Sequence, residues 1–247
     1  MNRESGLPSE RAFRFTFENI EAEFREVLDR GYRVITCADY VAEKKKPREG
    51  RLVVNRVDID MSVKKAERLA TMFDGLGVPA TFFLRLHATE YNPFSFENYR
   101  IVRSIAKSGH ELGYHSEVVD EATIWDENAE AVLRRDIRVM NEMFGVSVRG
   151  VASHSGLTGL NNLDFWKGRH PAEFDLLYEA YDREPSFNLF QESLYVSDSN
   201  WTYWKSYENG TLMEGDRRSL ADHAREGWPV IYSLIHPDTY YDRHFYE

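Results

Sequence analysis

The fold is decided by one stretch, which reads Arg51-Leu52-Val53-Val54-Asn55-Arg56-Val57-Asp58-Ile59-Asp60-Met61-Ser62. Its apolar, β-branched beginning predicts a buried strand. Ser62 is a good helix N-cap, and the apolar residues after it recur at helical spacing, so a helix follows at once. Asp58 and Asp60 therefore lie where a strand ends, at the edge where α/β folds bind ligands. Two acids so close repel each other unless a cation or a shared proton intervenes, and a metal ion is the simplest such cation.

Length, charge and cysteine content narrow the class of protein. The 247 residues are enough for one α/β domain, which we place over residues 1–247 with a flexible tail at 1–12. The net charge of −10 argues against a nucleic-acid partner, because no basic surface would neutralise phosphates. Without a membrane-spanning apolar run or an apolar signal core, the expected location is cytoplasmic. The single cysteine, Cys37, is expected to be a small buried residue, and the oligomeric state stays open.

Strand and helix patterns alternate along most of the chain. Besides the stretch above, strands are predicted at 32–36, 80–86, 110–117, 146–152, 193–196 and 228–237. Helices are predicted at 17–30, 63–74, 96–108, 121–143 and 216–226, whereas 163–191 has no clear pattern. The alternation predicts about seven parallel strands with right-handed crossovers, as an irregular (β/α) barrel or an open doubly wound sheet.

Histidines and carboxylates follow the predicted strands at one and the same edge. They are Asp58 and Asp60, His87 (with Arg85), His115 and Glu117, His154, Asp198, and His236. Because the carboxyl ends of parallel strands converge on one face of a barrel, these groups are expected to meet in space. Their convergence favours a metal-dependent hydrolase.

These segments resemble the polysaccharide deacetylase superfamily, the NodB-homology carbohydrate esterases, and within it a divergent branch associated with bacterial surface-glycan biosynthesis. The resemblance spans roughly residues 50–240 and rests on five segments in order, namely Val57-Asp58-Ile59-Asp60, Ala80-Thr81-Phe82-Phe83, Gly109-His110-Glu111-Leu112-Gly113-Tyr114-His115-Ser116, Ser197-Asp198-Ser199-Asn200-Trp201 and Ser233-Leu234-Ile235-His236-Pro237. It implies an irregular barrel of about seven β/α units. It also implies hydrolysis of an N-acetyl or N-formyl group from a sugar or glycan precursor.

The resemblance further implies one divalent metal ion, expected to be Zn²⁺, held by an aspartate and two histidines. Asp60 matches the aspartate and His115 the first histidine. The family's second histidine comes four residues after the first, where this chain has Val119. His154 and Glu117 are both able to supply the third ligand, and His154 is favoured because imidazole is the commoner zinc ligand.

Catalytic roles are carried over in the same way. Asp58 matches the catalytic base, His236 the catalytic acid, and Arg149 the arginine that orients the base. The family's adjacent Asp-Asp pair is here Asp-Ile-Asp, and the proline expected after the arginine is absent. Three residues are predicted to contact the substrate: Asp198, Trp201 and Tyr114.

Three functions from different classes fit these patterns. The first is a metal-dependent deacetylase that acts on an N-acylated sugar or glycan precursor. The second is a catalytically silent relative that binds a glycan or a partner protein, which the missing family histidine favours. The third is another barrel metalloenzyme, such as a sugar isomerase.

Overall fold

The fold is an α/β arrangement around one ten-stranded sheet, which the computed structural model describes over residues 13–44 and 50–243. The predicted tail at 1–12 lies outside the described residues. The strands are β1 (Tyr32–Ile35), β2 (Arg51–Ile59), β3 (Thr81–Leu84), β4 (Glu111–Ser116), β5 (Gly150–Ser153), β6 (Tyr178–Glu179), β7 (Leu194–Ser197), β8 (Lys205–Glu208), β9 (Thr211–Leu212) and β10 (Val230–Ile235). The helices are α1 (Phe17–Asp29), α2 (Cys37–Lys44), α3 (Val63–Leu76), α4 (Phe96–Lys107), α5 (Val118–Trp125), α6 (Ala129–Phe144), α7 (Leu189–Glu192) and α8 (Leu220–Glu226).

Strand β2 is the centre of the sheet, and the strand order is β6-β5-β4-β3-β2-β10-β7-β8-β9. One side of β2 pairs with β10, while the other side pairs with β1 along its first half and with β3 along its second half. Eight of its nine residues are buried, as the apolar stretch predicts for a central strand. Each of the seven predicted strands is present. Wherever two of these seven are neighbours in the sheet, they run parallel to each other.

The sheet is open in the described part of the chain. Strands β6 and β9 are the two ends of the order, and no pairing joins them within 13–44 and 50–243. A closed barrel is therefore not confirmed, although the largely parallel α/β character is. The order ends with a β8–β9 hairpin that turns at Asn209-Gly210, and β8 pairs antiparallel with β7. Both turn residues have positive φ, and this Asn-Gly signal was available in the sequence.

The helix predicted at 121–143 is wrong as a single element, because the structure has α5 and α6 in its place. Asp126 adopts a left-handed conformation with φ of 52° and ends α5. The side chain of Asn128 then accepts hydrogen bonds from the backbone N–H groups of Glu130 and Ala131 and starts α6. Helix α2 was not predicted at all, but its first residue, Cys37, is buried as expected.

Helix α3 holds the end of β2 in place. The Ser62 hydroxyl accepts a hydrogen bond from the backbone N–H of Lys65, as predicted for an N-cap. The helix buries one apolar face, including Leu69 and Phe73, and each such side chain contributes about 1.5–3 kcal/mol. Since α3 begins so soon after Asp60, its packing fixes where that carboxylate emerges from the sheet.

Among the helices of residues 13–44 and 50–243, none combines the length and the apolar character that a membrane span requires.

Candidate metal centre

Three side chains converge at the carboxyl ends of three parallel strands of the sheet. Asp60 follows β2, His115 lies near the end of β4, and His154 follows β5. One ligand atom from each of them lies within 4.8 Å of the other two. The three residues are far apart in sequence, so the parallel sheet alone brings them together. They are the three residues favoured as ligands in the sequence analysis.

His115 is oriented to offer one particular nitrogen. Its ring is buried, and Nδ1 lies 2.8 Å from the backbone oxygen of Ala152. A carbonyl oxygen only accepts, so Nδ1 carries the proton and Nε2 keeps a free lone pair. Nε2 lies 3.3 Å from Oδ1 of Asp60, a buried oxygen that accepts no hydrogen bond. An orphaned carboxylate oxygen facing an imidazole lone pair fits a bound cation, which would satisfy both.

His154 and Glu117 take different places. Nε2 of His154 faces the ligand cluster, 3.9 Å from Oδ1 of Asp60, and Nδ1 lies 3.2 Å from Oε1 of Glu117. Arg85 also contacts that oxygen, at 2.8 Å. Burial raises the pKa of Glu117, but its contacts with His154 and Arg85 outweigh burial and leave the pKa below its usual value. Glu117 thus lies behind the His154 ring, in the position of a group that orients a ligand.

The buried Asp58 carboxylate is held by Arg56. Nε and Nη2 of the guanidinium donate to its two oxygens, at 2.8 and 2.7 Å, and the Arg56 side chain also lies over the ring of Tyr181. Oδ2 of Asp58 is 3.3 Å from Nε2 of His115, so the carboxylate borders the ligand cluster. Burial raises the pKa of Asp58, but the charge and the hydrogen bonds of Arg56 oppose burial, and the net shift is downward.

Arg149 is not the partner of Asp58, and that prediction is wrong. Strand β5 begins only at Gly150, so Arg149 lies at the amino end of the strand, on the opposite edge of the sheet. Its side chain is 47% exposed, and Nε is 3.9 Å from Oε1 of Glu111. Arg56 is the arginine that pairs with Asp58 instead. A sequence signal existed, because Arg56 lies two residues before Asp58, on the same strand face, inside an apolar run where a charge needs a partner.

His236 and Asp198 form a second buried pair. Oδ1 of Asp198 lies 2.6 Å from Nδ1 of His236, and the Asp198 carboxylate also accepts from the backbone N–H of His236. Burial lowers the pKa of His236, but Asp198 and then Asp60 raise it to about 9. Nε2 of His236 points to the cluster, 3.8 Å from Oδ2 of Asp60. Asp198, predicted to contact substrate, is fully buried and therefore acts on His236 from behind.

The two aromatic residues predicted to contact substrate have different positions. Tyr114 is fully buried on the strand face opposite to His115, and its hydroxyl donates to Oδ2 of Asp136 at 2.5 Å. The prediction for Tyr114 is wrong because side chains alternate across a strand. Trp201 lies in the loop after β7 with 41% of its surface exposed and stays a predicted substrate contact.

A cavity of about 660 Å³ opens beside the ligand cluster. Its lining includes His154 together with the rings of Tyr181 and Phe190. Tyr181 is also the ring that stacks under Arg56, so the cavity wall is continuous with the support of Asp58. Both aromatic residues lie within the stretch 163–191 that has no clear sequence pattern, which is why they were not predicted.

Comparison with known proteins gives a fold relationship. No protein-family model matches the sequence, and no curated protein matches it. Among solved structures, the chain is similar to the deacetylase domain of BpsB from Bordetella bronchiseptica, with a TM-score of 0.50 and 14% identity over 95% of this chain and 91% of that one. At this identity the likeness is one of fold, and at that level it agrees with the resemblance predicted from the sequence.

Two further structures have lower scores. A mutant of BA3943, described as a CE4 family pseudoenzyme with restored activity, has a TM-score of 0.45 and 16% identity over 78% of this chain. The chain spans 58% of the length of that BA3943 structure. IcaB from Ammonifex degensii has a TM-score of 0.42 and 17% identity over 66% of this chain and 76% of its own.

Proposed function

We propose that this protein is a metal-dependent hydrolase that removes an N-acetyl or N-formyl group from a sugar or glycan precursor. One observation carries the proposal: a three-ligand cluster of Asp60, His115 and His154 has a carboxylate, Asp58, and an imidazole, His236, on its borders. A cation site flanked by a proton acceptor and a proton donor is what amide hydrolysis requires. The BpsB-like fold supports the same conclusion.

The ligand set proposed for the ion is Asp60 Oδ1 with Nε2 of His115 and of His154. Three protein ligands leave coordination positions open, as in catalytic zinc sites, and Zn²⁺ is the ion we propose. When bound, such an ion polarises the acyl carbonyl and lowers the pKa of water to about 7. Glu117, held by Arg85, orients His154 for this role.

Proton transfer is assigned to Asp58 and His236. Asp58 stays ionised because Arg56 pairs with both of its oxygens, and it accepts the proton of the attacking water. His236, held through Nδ1 by Asp198, presents Nε2 to the cluster and donates its proton to the departing amine. The water oxygen joins the acyl carbon, the C–N bond breaks, and the products are a carboxylic acid and an amino sugar.

The cavity beside His154 is proposed as the sugar site. Its aromatic walls, Tyr181 and Phe190, offer flat apolar faces on which a sugar ring stacks. Trp201, in the exposed loop after β7, is proposed as an additional contact. The substrate is therefore an N-acylated sugar or glycan precursor bound between these rings and the ligand cluster.

The test separates metal binding from chemistry. Acetate and formate release is measured on a panel of N-acylated sugars and nucleotide-linked sugars. We expect Asp58→Asn to keep stoichiometric metal and to lose about 10²- to 10⁴-fold in turnover. Asp60→Asn should lose metal and turnover together, whereas the surface control His170→Ala should match the wild type. His170 is a suitable control because its side chain is exposed and forms a surface ion pair with Glu184.

Two results would overturn the assignment. If the wild type releases no acid from any substrate with several divalent metals, the protein is a silent relative that binds a glycan or a partner. If the wild type is active and Asp58→Asn is unimpaired, the base has been assigned to the wrong residue.

A further inference from the structure

A second cluster of ligand-type side chains lies on the other face of β4. It consists of His87 in the loop after β3, Glu121 on α5 and Asp136 on α6, and one ligand atom from each lies within 4.8 Å of the others. Nε2 of His87 is 3.0 Å from Oε2 of Glu121 and 3.9 Å from Oδ2 of Asp136. None of these residues belongs to the metal centre described above.

The two carboxylates are brought together by the break between α5 and α6. In one continuous helix, residues 121 and 136 would lie about 22 Å apart along the axis. The turn at Asp126 folds the chain back and places both carboxylates in the α5–α6 interface, where each side chain is only 5% exposed. Two acids buried at this distance need a cation or a proton between them.

One oxygen in this cluster, Oε2 of Glu121, accepts no hydrogen bond, although Nε2 of His87 lies 3.0 Å from it. Arg135 contacts Oε1 of Glu121, while Oε2 is buried and accepts no hydrogen bond. Asp136, by contrast, is oriented by the hydroxyl of Tyr114. His87 is 46% exposed, so an ion has a route from solvent to the buried oxygens. An orphaned oxygen, an oriented carboxylate and an accessible imidazole form a built ligand set.

We infer that His87, Glu121 and Asp136 bind a second divalent cation of the zinc class. One imidazole and two carboxylates suit Zn²⁺, and Arg135 offsets part of the negative charge without occupying Oε2 of Glu121. The ion would connect the loop after β3 with α5 and α6. Because α5 starts directly after Glu117, this ion would stabilise the position of Glu117, which contacts His154, without taking part in catalysis.

The experiment counts tightly bound Zn²⁺ on the full-length chain by titration and elemental analysis after dialysis. We expect about two equivalents in the wild type and about one in either His115→Ala or His87→Ala. The double variant should bind none. His170→Ala, which removes an exposed histidine beside one carboxylate, should bind as the wild type does. Hydrolase activity is not needed for any of these readouts, so failure of the proposed function would not affect them.

A second measurement guards against misfolding. Asp136→Asn keeps an oxygen for the Tyr114 hydroxyl, and circular dichroism checks its fold. In the His115→Ala background, added Co²⁺ should give the visible absorption of a protein-bound ion, and Asp136→Asn should abolish it. The inference is overturned if folded His115→Ala protein binds no Zn²⁺ or Co²⁺, or if His87→Ala binds as much Zn²⁺ as the wild type.

Discussion

The Arg56–Asp58 pair is the residue-level feature on which the proposed chemistry depends. Both side chains are almost completely buried, and both guanidinium contacts are short. Arg56 also lies near the rings of Phe83 and Tyr181, so its position is set by packing as well as by charge. A buried guanidinium of this kind keeps Asp58 ionised and aimed at the ligand cluster.

Replacing Arg56 by methionine should destabilise the protein by about 3–5 kcal/mol, because the Asp58 carboxylate is left buried without its partner. Urea unfolding measures the loss, and the double variant Arg56→Met/Asp58→Asn should recover part of it. The control is Arg149→Met, whose exposed side chain should change stability by no more than about 0.5 kcal/mol. Equal effects of the two single variants would contradict the pairing.

His154 and Glu117 should differ in their effect on metal binding. We expect His154→Ala to abolish stoichiometric binding at the centre with Asp60 and His115, since a ligand is removed. Glu117→Gln should weaken binding only about 10- to 100-fold, because it loosens the orientation of the His154 ring. Zn²⁺ titration in a His87→Ala background measures both. Wild-type affinity in both variants would show that neither residue supports the ion.

At the scale of elements, the contact between α1 and α8 contains a titrating carboxylate. Oε2 of Glu23, on α1, accepts from the backbone N–H of Ala221 at 2.6 Å. Burial raises the pKa of Glu23 from 4.5 to about 6, although the bond to Ala221 opposes it. The folded state therefore binds a proton more tightly than the unfolded state does. The stability due to this group is present at low pH and is lost as pH rises from 4.5 to 6.

Glu23→Gln should remove this loss while keeping an oxygen for Ala221. From well below pH 4.5 to well above pH 6 the wild type should lose about 2 kcal/mol in total relative to the variant, from the shift in the pKa of Glu23. Urea unfolding at a series of pH values measures the difference curve, in which other titrating groups cancel. Glu21→Gln, at an exposed position paired with Arg25, should stay parallel to the wild type. A flat difference for Glu23→Gln would contradict the assigned pKa.

At the scale of the whole molecule, the proposed ion at Asp60, His115 and His154 connects β2, β4 and β5. A ligand that binds only the folded state at 100 times its Kd adds about 2.7 kcal/mol. For a chain of this length that corresponds to a Tm change on the order of 5–10 °C. In His87→Ala protein, chelation of Zn²⁺ should lower Tm by this amount. The double variant His87→Ala/Asp60→Asn should show no response, and an equal response in both would place the ion elsewhere.

Much of the strand framework could be predicted from local patterns. The apolar run that ends at Asp58 and Asp60, followed by the Ser62 cap, identified the central strand and its helix, and the structure has both. The alternation of side chains along a strand also indicates that Arg56 and Asp58 lie side by side, because residues two apart share a strand face. The α5–α6 break was not predicted, since the apolar positions on both sides of Asp126 keep helical spacing and the turn depends on one left-handed residue.

The sequence by itself determined seven of the ten strands, the burial of β2 and which polar residues end those strands, because burial and periodicity are local properties. The tertiary structure alone decided which of those residues meet. Strand pairing in parallel register brings His115 and His154 to Asp60 across 94 residues of chain, from 60 to 154. It also places Arg149 at the opposite edge of the sheet and Tyr114 on the opposite face of β4, and it leaves the sheet open within residues 13–44 and 50–243. Such distances between residues depend on how strands are ordered in space, and no local pattern contains that order.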